Sequence, residues 1–191
     1  MHYLLLLDNY DSFTYNLYHL LQKNFNGEVI VKRDYQINIE DLHLYKGIVI
    51  SPGPGSPETT PKAMEILSKL YKTVPILGIC LGMQCINNFF GGKTVRSNYP
   101  VHGKTSIFYK KINSKLFLDI PKRFKVARYH SLKIEPSKEI LITGTTENDL
   151  IMSIEHKTLP IYGLQFHPES FLSEYGNKFI QNFIEITGLN E

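Results

Sequence analysis

A short apolar run, Pro75-Ile76-Leu77-Gly78-Ile79, leads straight into Cys80 and then into Leu81 to Phe90, a segment with helical spacing that stops at Gly91-Gly92. A chain that must pass from strand to helix across one residue has few folds open to it. The run reads as a buried strand of an α/β sheet, and the glycine pair as the cap that ends the helix. Gly78 and Gly82 flank the turn, so the backbone can make it without a Cβ clash. Such a turn lifts Cys80 out of the sheet and onto a helix N-terminus, where the partial positive charge favours thiolate over thiol. The Gly-x-Cys-x-Gly pattern is the thiol form of a nucleophile elbow. Core packing competes with it, since cysteine is among the most buried residue types, and the pentapeptide alone does not separate the two.

The first half of the chain alternates strands and helices. Strand Tyr3–Leu7 leads through a polar turn, with Asp11 or Ser12 as N-cap, into a helix carrying Phe13, Leu17, Leu20 and Leu21 on one face. Strands follow at Glu28–Lys32 and Gly47–Ile50, and Thr60-Pro61 opens a helix with proline at its first position. In the second half, strand-like runs crowd together at Thr105–Tyr109, Phe124–Arg128, Leu132–Glu135, Ile140–Thr145, Leu150–Glu155 and Pro160–Phe166, which predicts an antiparallel element added to a parallel sheet. A last helix is predicted over Ser173 to about Thr187. No repeat, linker or low-complexity tract interrupts the pattern, so one α/β domain over residues 1–191 is expected.

A thiol nucleophile needs a base, and a histidine base needs a group to hold its ring and tautomer. Gly163-Leu164-Gln165-Phe166-His167-Pro168-Glu169-Ser170 follows the apolar run Leu159 to Phe166. His167 and Glu169 stand two apart, so on extended backbone both project to the same side. Pro168 between them keeps a helix from starting there. A carboxylate beside an imidazole raises its pKa and stabilises an imidazolium–thiolate pair. By itself the segment also fits an exposed turn; beside an elbow cysteine it fits catalysis. The third piece is Ser51-Pro52-Gly53-Pro54-Gly55-Ser56-Pro57, a stiff loop after the strand Gly47–Ile50, at the edge where open α/β sheets place ligands. Its glycine N–H groups, with that of Leu81, could form an oxyanion hole. It lacks the spacing of a phosphate loop.

Elbow cysteine, His-Pro-Glu and the proline–glycine loop together resemble the class I (triad-type) glutamine amidotransferases. One branch is closer: Asp8-Asn9-Tyr10-Asp11-Ser12-Phe13-Thr14-Tyr15-Asn16, Val101-His102-Gly103-Lys104-Thr105-Ser106, Arg128-Tyr129-His130-Ser131-Leu132 and Gln165-Phe166-His167-Pro168-Glu169-Ser170 resemble the small subunit of anthranilate synthase and aminodeoxychorismate synthase. The match runs from the first strand to the last helix. The resemblance implies an open, mostly parallel, flavodoxin-like sheet with helices on both faces and the added antiparallel strands. It implies that Cys80 attacks the side-chain amide of L-glutamine, with His167 as base and Glu169 as its orienter, through a γ-glutamyl thioester. It carries glutamine and oxyanion binding onto Gly53, Pro54, Gly55, Leu81, Gln84, His130 and Ser131. No cofactor and no metal are implied, and the implied partner is a chorismate-using synthase subunit that receives the ammonia. His102 is expected on the partner-facing side. Met83 stands where many members have histidine, and is expected near the substrate pocket or the partner contact. Met83 and Leu172-Ser173-Glu174 tilt the branch toward folate rather than tryptophan.

A chain of 191 residues is long enough for one substantial core but not for a glutaminase and a chorismate-using domain together. The net charge of +3, from 21 basic and 18 acidic residues, predicts no nucleic-acid partner. Lys110-Lys111 and Lys122-Arg123-Phe124-Lys125 are expected to be solvated surface. Two cysteines make no disulfide framework, and Cys85 is expected in the core. The opening apolar stretch is too short for a secretory signal, and no segment approaches a membrane span, so a reduced, cytoplasmic setting is expected. Two other functions share parts of this pattern: a stand-alone cysteine hydrolase of γ-glutamyl or other amides, and a flavodoxin-like regulatory module without turnover.

Overall fold

The computed structural model describes residues 2–191, and of residues 98–102, inside a strand, it describes the backbone alone. The partner-facing role expected of His102 therefore falls outside the described residues. Among the described residues nine strands form one sheet: β1 (Tyr3–Asp8), β2 (Glu28–Arg33), β3 (Tyr45–Ile50), β4 (Ile76–Ile79), β5 (Lys93–Lys110), β6 (Arg123–Glu135), β7 (Ile140–Thr146), β8 (Ile151–His156) and β9 (Ile161–Leu164). Among the described residues four α-helices accompany it, α1 (Thr14–Asn24), α2 (Pro61–Leu70), α3 (Leu81–Phe89) and α4 (Gly176–Ile186), with short 3-10 turns between elements.

The strand order is β2-β1-β3-β4-β9-β8-β7-β5-β6. From β2 to β9 every pairing is parallel, in the order of flavodoxin-like sheets; from β9 to β6 every pairing is antiparallel. The inner parallel strands β1, β3 and β4 are largely apolar on both faces because helices cover both. Leu4 and Leu6 of β1 pack with Leu17 and Leu21 of α1 and Phe179 and Phe183 of α4. Leu5 and Leu7 turn the other way, onto Ile66 and Leu67 of α2 and Ile86 of α3. Shifting β1 by one residue would exchange both sets, so burial on two faces fixes the register.

Several element boundaries differ from the sequence pattern, each for a visible reason. Phe124–Arg128 and Leu132–Glu135 are one strand, β6; the polar Tyr129-His130-Ser131 breaks the hydrophobic pattern while the backbone stays extended. α1 starts at Thr14, not after Asp11 or Ser12. Asp8 Oδ1 accepts from the Tyr10 and Asp11 N–H groups and the Thr14 hydroxyl, and Asp11 Oδ2 accepts from the Phe13 N–H, so the two carboxylates build a turn ahead of the helix. α4 starts at Gly176 rather than Ser173, whose hydroxyl is committed elsewhere: it donates to the His167 carbonyl and accepts from the Ala127 N–H. Lys110 is not solvated surface. It is half-buried, and its ammonium donates to the carbonyls of Phe117 and Ile120. Among the described residues no helix is long and apolar enough to cross a membrane.

Candidate active site

The C-terminal ends of β1, β3, β4 and β9 converge on one edge, and each delivers a piece of the site. At the end of β4 the chain turns through Cys80, which has φ 52° and ψ −101°. Holding a non-glycine residue there costs about 1–3 kcal/mol, which the surrounding structure must supply. Part of it comes from a 2.7 Å hydrogen bond from the Cys80 N–H to the Leu164 carbonyl of β9. The flanking glycines serve close packing. A Cβ at Gly78 would lie 2.4 Å from Gly82 carbonyl atoms, and one at Gly82 would lie 2.3 Å from the Ile50 carbonyl oxygen. Helix α3 is thus pressed against β3 and β4, with the backbone of Leu81 at its first turn.

Beyond β9 the chain bends at Gln165 and Phe166 and enters a turn at His167. The His167 N–H donates to the Ala127 carbonyl, and the Ser173 hydroxyl holds the His167 carbonyl at 2.6 Å, which ties this turn to β6. His167 Nδ1 and Glu169 Oε1 are 2.7 Å apart, with both side chains almost wholly buried. That contact assigns the Nδ1 proton toward the carboxylate and leaves Nε2 for Cys80. The rings of Tyr129 and Phe13 stand edge-on to the imidazole, at 5.0 and 6.1 Å between centroids. Burial alone would push the imidazole's pKa down; the Cys80 side chain and then Glu169 outweigh it and push it up to about 10. Among the described residues no acceptor meets Nε2 at full hydrogen-bond geometry, so the contribution of Cys80 there is close-range attraction across an imperfect contact.

The raised pKa ties this pair to stability. Below pH 6.5 folded and unfolded chains both hold the proton and the full contribution is present; between 6.5 and about 10 only the folded chain holds it, so stability falls as pH rises. Glu169→Gln removes one of the two supports. The variant is expected to lose less stability across that window than the wild type, measured as urea midpoints at successive pH values. An unchanged slope would detach Glu169 from the imidazole.

Gln165 carries a role that the sequence pattern leaves unassigned. Fully buried, its amide nitrogen sits 3.5 Å from Cys80 Sγ and its carbonyl accepts from Gln84 Nε2 at 3.2 Å. Gln165 follows β9 directly and reaches both Cys80 and Gln84, partners distant in the chain, and no local spacing signals that. Gln165→Leu would leave the Gln84 amide without its acceptor and the sulfur without its donor. We expect turnover at Cys80 to fall by about 10–100-fold in kcat, with a smaller change in KM, in steady-state assays.

A cavity of about 150 Å³ opens on Cys80, and the sequence-predicted binding residues line it: Gly53, Pro54 and Gly55 from the loop after β3, Leu81 and Gln84 from α3, and His130 and Ser131 from β6. The proline–glycine loop is anchored where the Asn9 N–H donates to Ser51 Oγ and the Asn9 side chain to the Ser51 carbonyl. The His130 ring accepts from Arg128 Nε at 3.0 Å and sits 2.8 Å from the Leu132 carbonyl. Met83 is fully buried and packs on Gly163; its neighbour Gln84 lines the cavity, and Met83 itself does not. Cys85 is buried as well, its thiol 3.3 Å from the Thr60 hydroxyl and pushed up to about 11 by burial. Among the described residues no group of side chains is arranged to hold a metal ion.

A family model for class I glutamine amidotransferases matches residues 5–186. The chain belongs to that family. Anthranilate synthase component 2 of Azospirillum brasilense is 42% identical to it over 96% of either chain. The protein of the same description from Cyanophora paradoxa is 43% identical, over 95% of this chain and 97% of its own. A crystal structure of a glutamine amidotransferase from Thermotoga maritima shares the fold at a TM-score of 0.70 and 19% identity, covering 97% of this chain and 81% of that one. In this amidotransferase the turn at Cys80, the glycine loop after β3 and the segment after β9 that carries Gln165 and His167 lie at one edge of the sheet.

Proposed function

We propose that this chain is the glutaminase subunit of an anthranilate synthase. The observation that carries the proposal is the buried set of Cys80 on its strained turn, with His167 and Glu169 hydrogen-bonded beside it. Its near full-length similarity to anthranilate synthase component 2 proteins supports the choice of branch. Cys80 Sγ attacks the side-chain carbonyl carbon of L-glutamine, and the thiol proton resides on His167. The tetrahedral oxyanion forms against the N–H groups of Leu81 and Gly53. His167 then protonates the departing nitrogen, the C–N bond breaks, and a γ-glutamyl thioester remains on Cys80. A water attacks that thioester, giving its proton to His167, and glutamate leaves as the thiol is restored.

The protein partner is a chorismate-using component I, which receives the ammonia before water can protonate it. A cytoplasmic setting suits a free nucleophilic thiol; the proposal includes neither nucleic acid nor membrane. The tilt toward folate drawn from Met83 finds no support, because that side chain lies in the core. The experiment is amination of chorismate by the purified chain with each synthase subunit in turn, glutamine being the sole nitrogen source. Anthranilate is the expected product. Aminodeoxychorismate would move the chain to the folate branch, and glutamate release with neither product would overturn the assignment to chorismate.

A further inference from the structure

On the antiparallel half of the sheet a second cavity, of about 320 Å³, opens between β6 and the segment joining β7 to β8, with Arg128, Lys133, Thr146 and Asn148 in its lining. Its size lies at the lower end of the range for small-molecule sites. Arg128 is only 7% exposed. Its Nε donates to His130 and its Nη1 to the Ser106 hydroxyl, 3.0 Å each, and its Nη2 is buried without a partner among the described residues. Both partners are neutral: the contact with Arg128 leaves His130 Nε2 unprotonated, and the proton belongs on Nδ1, against the Leu132 carbonyl.

A guanidinium does not shed its proton at neutral pH, so Arg128 stays charged. Burial pushes its pKa down, and no carboxylate among the described residues opposes that shift. Asp149, the acid in the cavity lining, pairs with Lys111 at 2.9 Å with its side chain 80% exposed. No acid occurs among residues 98–102. A buried cation with only neutral partners is a costly arrangement, and an anion is the partner that removes the cost. Lys133 places a second positive charge on the same cavity, and Thr146 and Asn148 add hydrogen-bond donors.

We propose that this cavity is a binding site for a small oxyanion, phosphate or carboxylate, with Arg128 and Lys133 as its charge partners. It is distinct from the cavity at Cys80 and does not depend on the glutaminase assignment. The test is titration of the full chain with inorganic phosphate and, separately, with malonate. Binding is read by calorimetry and by the rise in unfolding temperature, against sodium chloride at matched ionic strength. Saturable binding of at least one probe is expected, and which probe binds names the ligand's anionic group. Lys133→Gln, at a half-exposed position, should keep the fold and weaken that binding on the order of tenfold, and Arg128→Met should abolish it. No saturable binding of either probe to the native chain would overturn the proposal. So would an affinity unchanged in Lys133→Gln, a comparison that holds even where Arg128→Met does not fold.

Discussion

Cys80→Ser should lower glutamine hydrolysis by at least about 10³-fold and leave the fold in place. Serine fills slightly less space, tolerates the same backbone, and still gives the Gln165 amide an oxygen to face. What disappears is the chemistry. A hydroxyl does not share its proton with His167 as a thiol does, so one support of the raised imidazole pKa goes with the sulfur. The oxygen must then be deprotonated in the transition state by an imidazole tuned to hold a proton. Glutamate release in a coupled assay measures the loss, and a thermal melt with glutamine titration shows whether fold and substrate binding survive. Cys85→Ala is the companion variant. That thiol is buried against Thr60 and pushed up to about 11, so turnover should persist and iodoacetamide should label Cys80 alone in the native chain. Normal turnover in Cys80→Ser would remove the nucleophile assignment altogether.

What the sequence made legible was whatever a short stretch of chain decides. The elbow is local: strand, one residue, helix, with glycines on both sides, and Cys80 stands at that turn. The His167–Glu169 contact is equally local, although the backbone that brings the two side chains together is a turn closed by the Ser170 N–H on the His167 carbonyl, not the extended stretch the spacing predicts. Long-range pairing was less legible. β5 runs from Lys93 to Lys110 because β6 holds it by hydrogen bonds along most of that length, and its polar composition gives no sign of this. Tyr129 and Gln165 were visible as letters in motifs, but their work depends on neighbours distant in the chain: the imidazole for Tyr129, and Gln84 and Cys80 for Gln165. Arg128 is the extreme case. An arginine in a strand is ordinarily surface, and only the fold reveals that this one is buried with no carboxylate paired to it among the described residues.

Gly82→Ala tests whether the elbow's geometry, and not only its cysteine, underlies turnover. The added Cβ would sit 2.3 Å from the Ile50 carbonyl oxygen and 2.9 Å from the Ile50 Cβ. The nearer obstacle is backbone, in the middle of the parallel sheet, so no flexible side chain can swing away. Helix α3 must move instead. Overpacking of this kind costs about 1–3 kcal/mol, and the upper end is expected here because β3 is buried on both faces. The displacement falls on the first turn of α3, which carries the Leu81 N–H beside the proposed oxyanion position. A shift near 1 Å at such a group can cost about 100-fold in rate, so kcat should fall by that order even under conditions where the variant is fully folded. Gly91→Ala supplies the contrast. Its φ is +89° but nothing lies within 4 Å of the added Cβ, so it should cost about 1–2 kcal/mol through backbone strain and leave kcat untouched. Denaturant midpoints and steady-state rates for both variants separate the two effects. If Gly82→Ala lost stability but kept wild-type kcat, the position of α3 would not be what sets the rate.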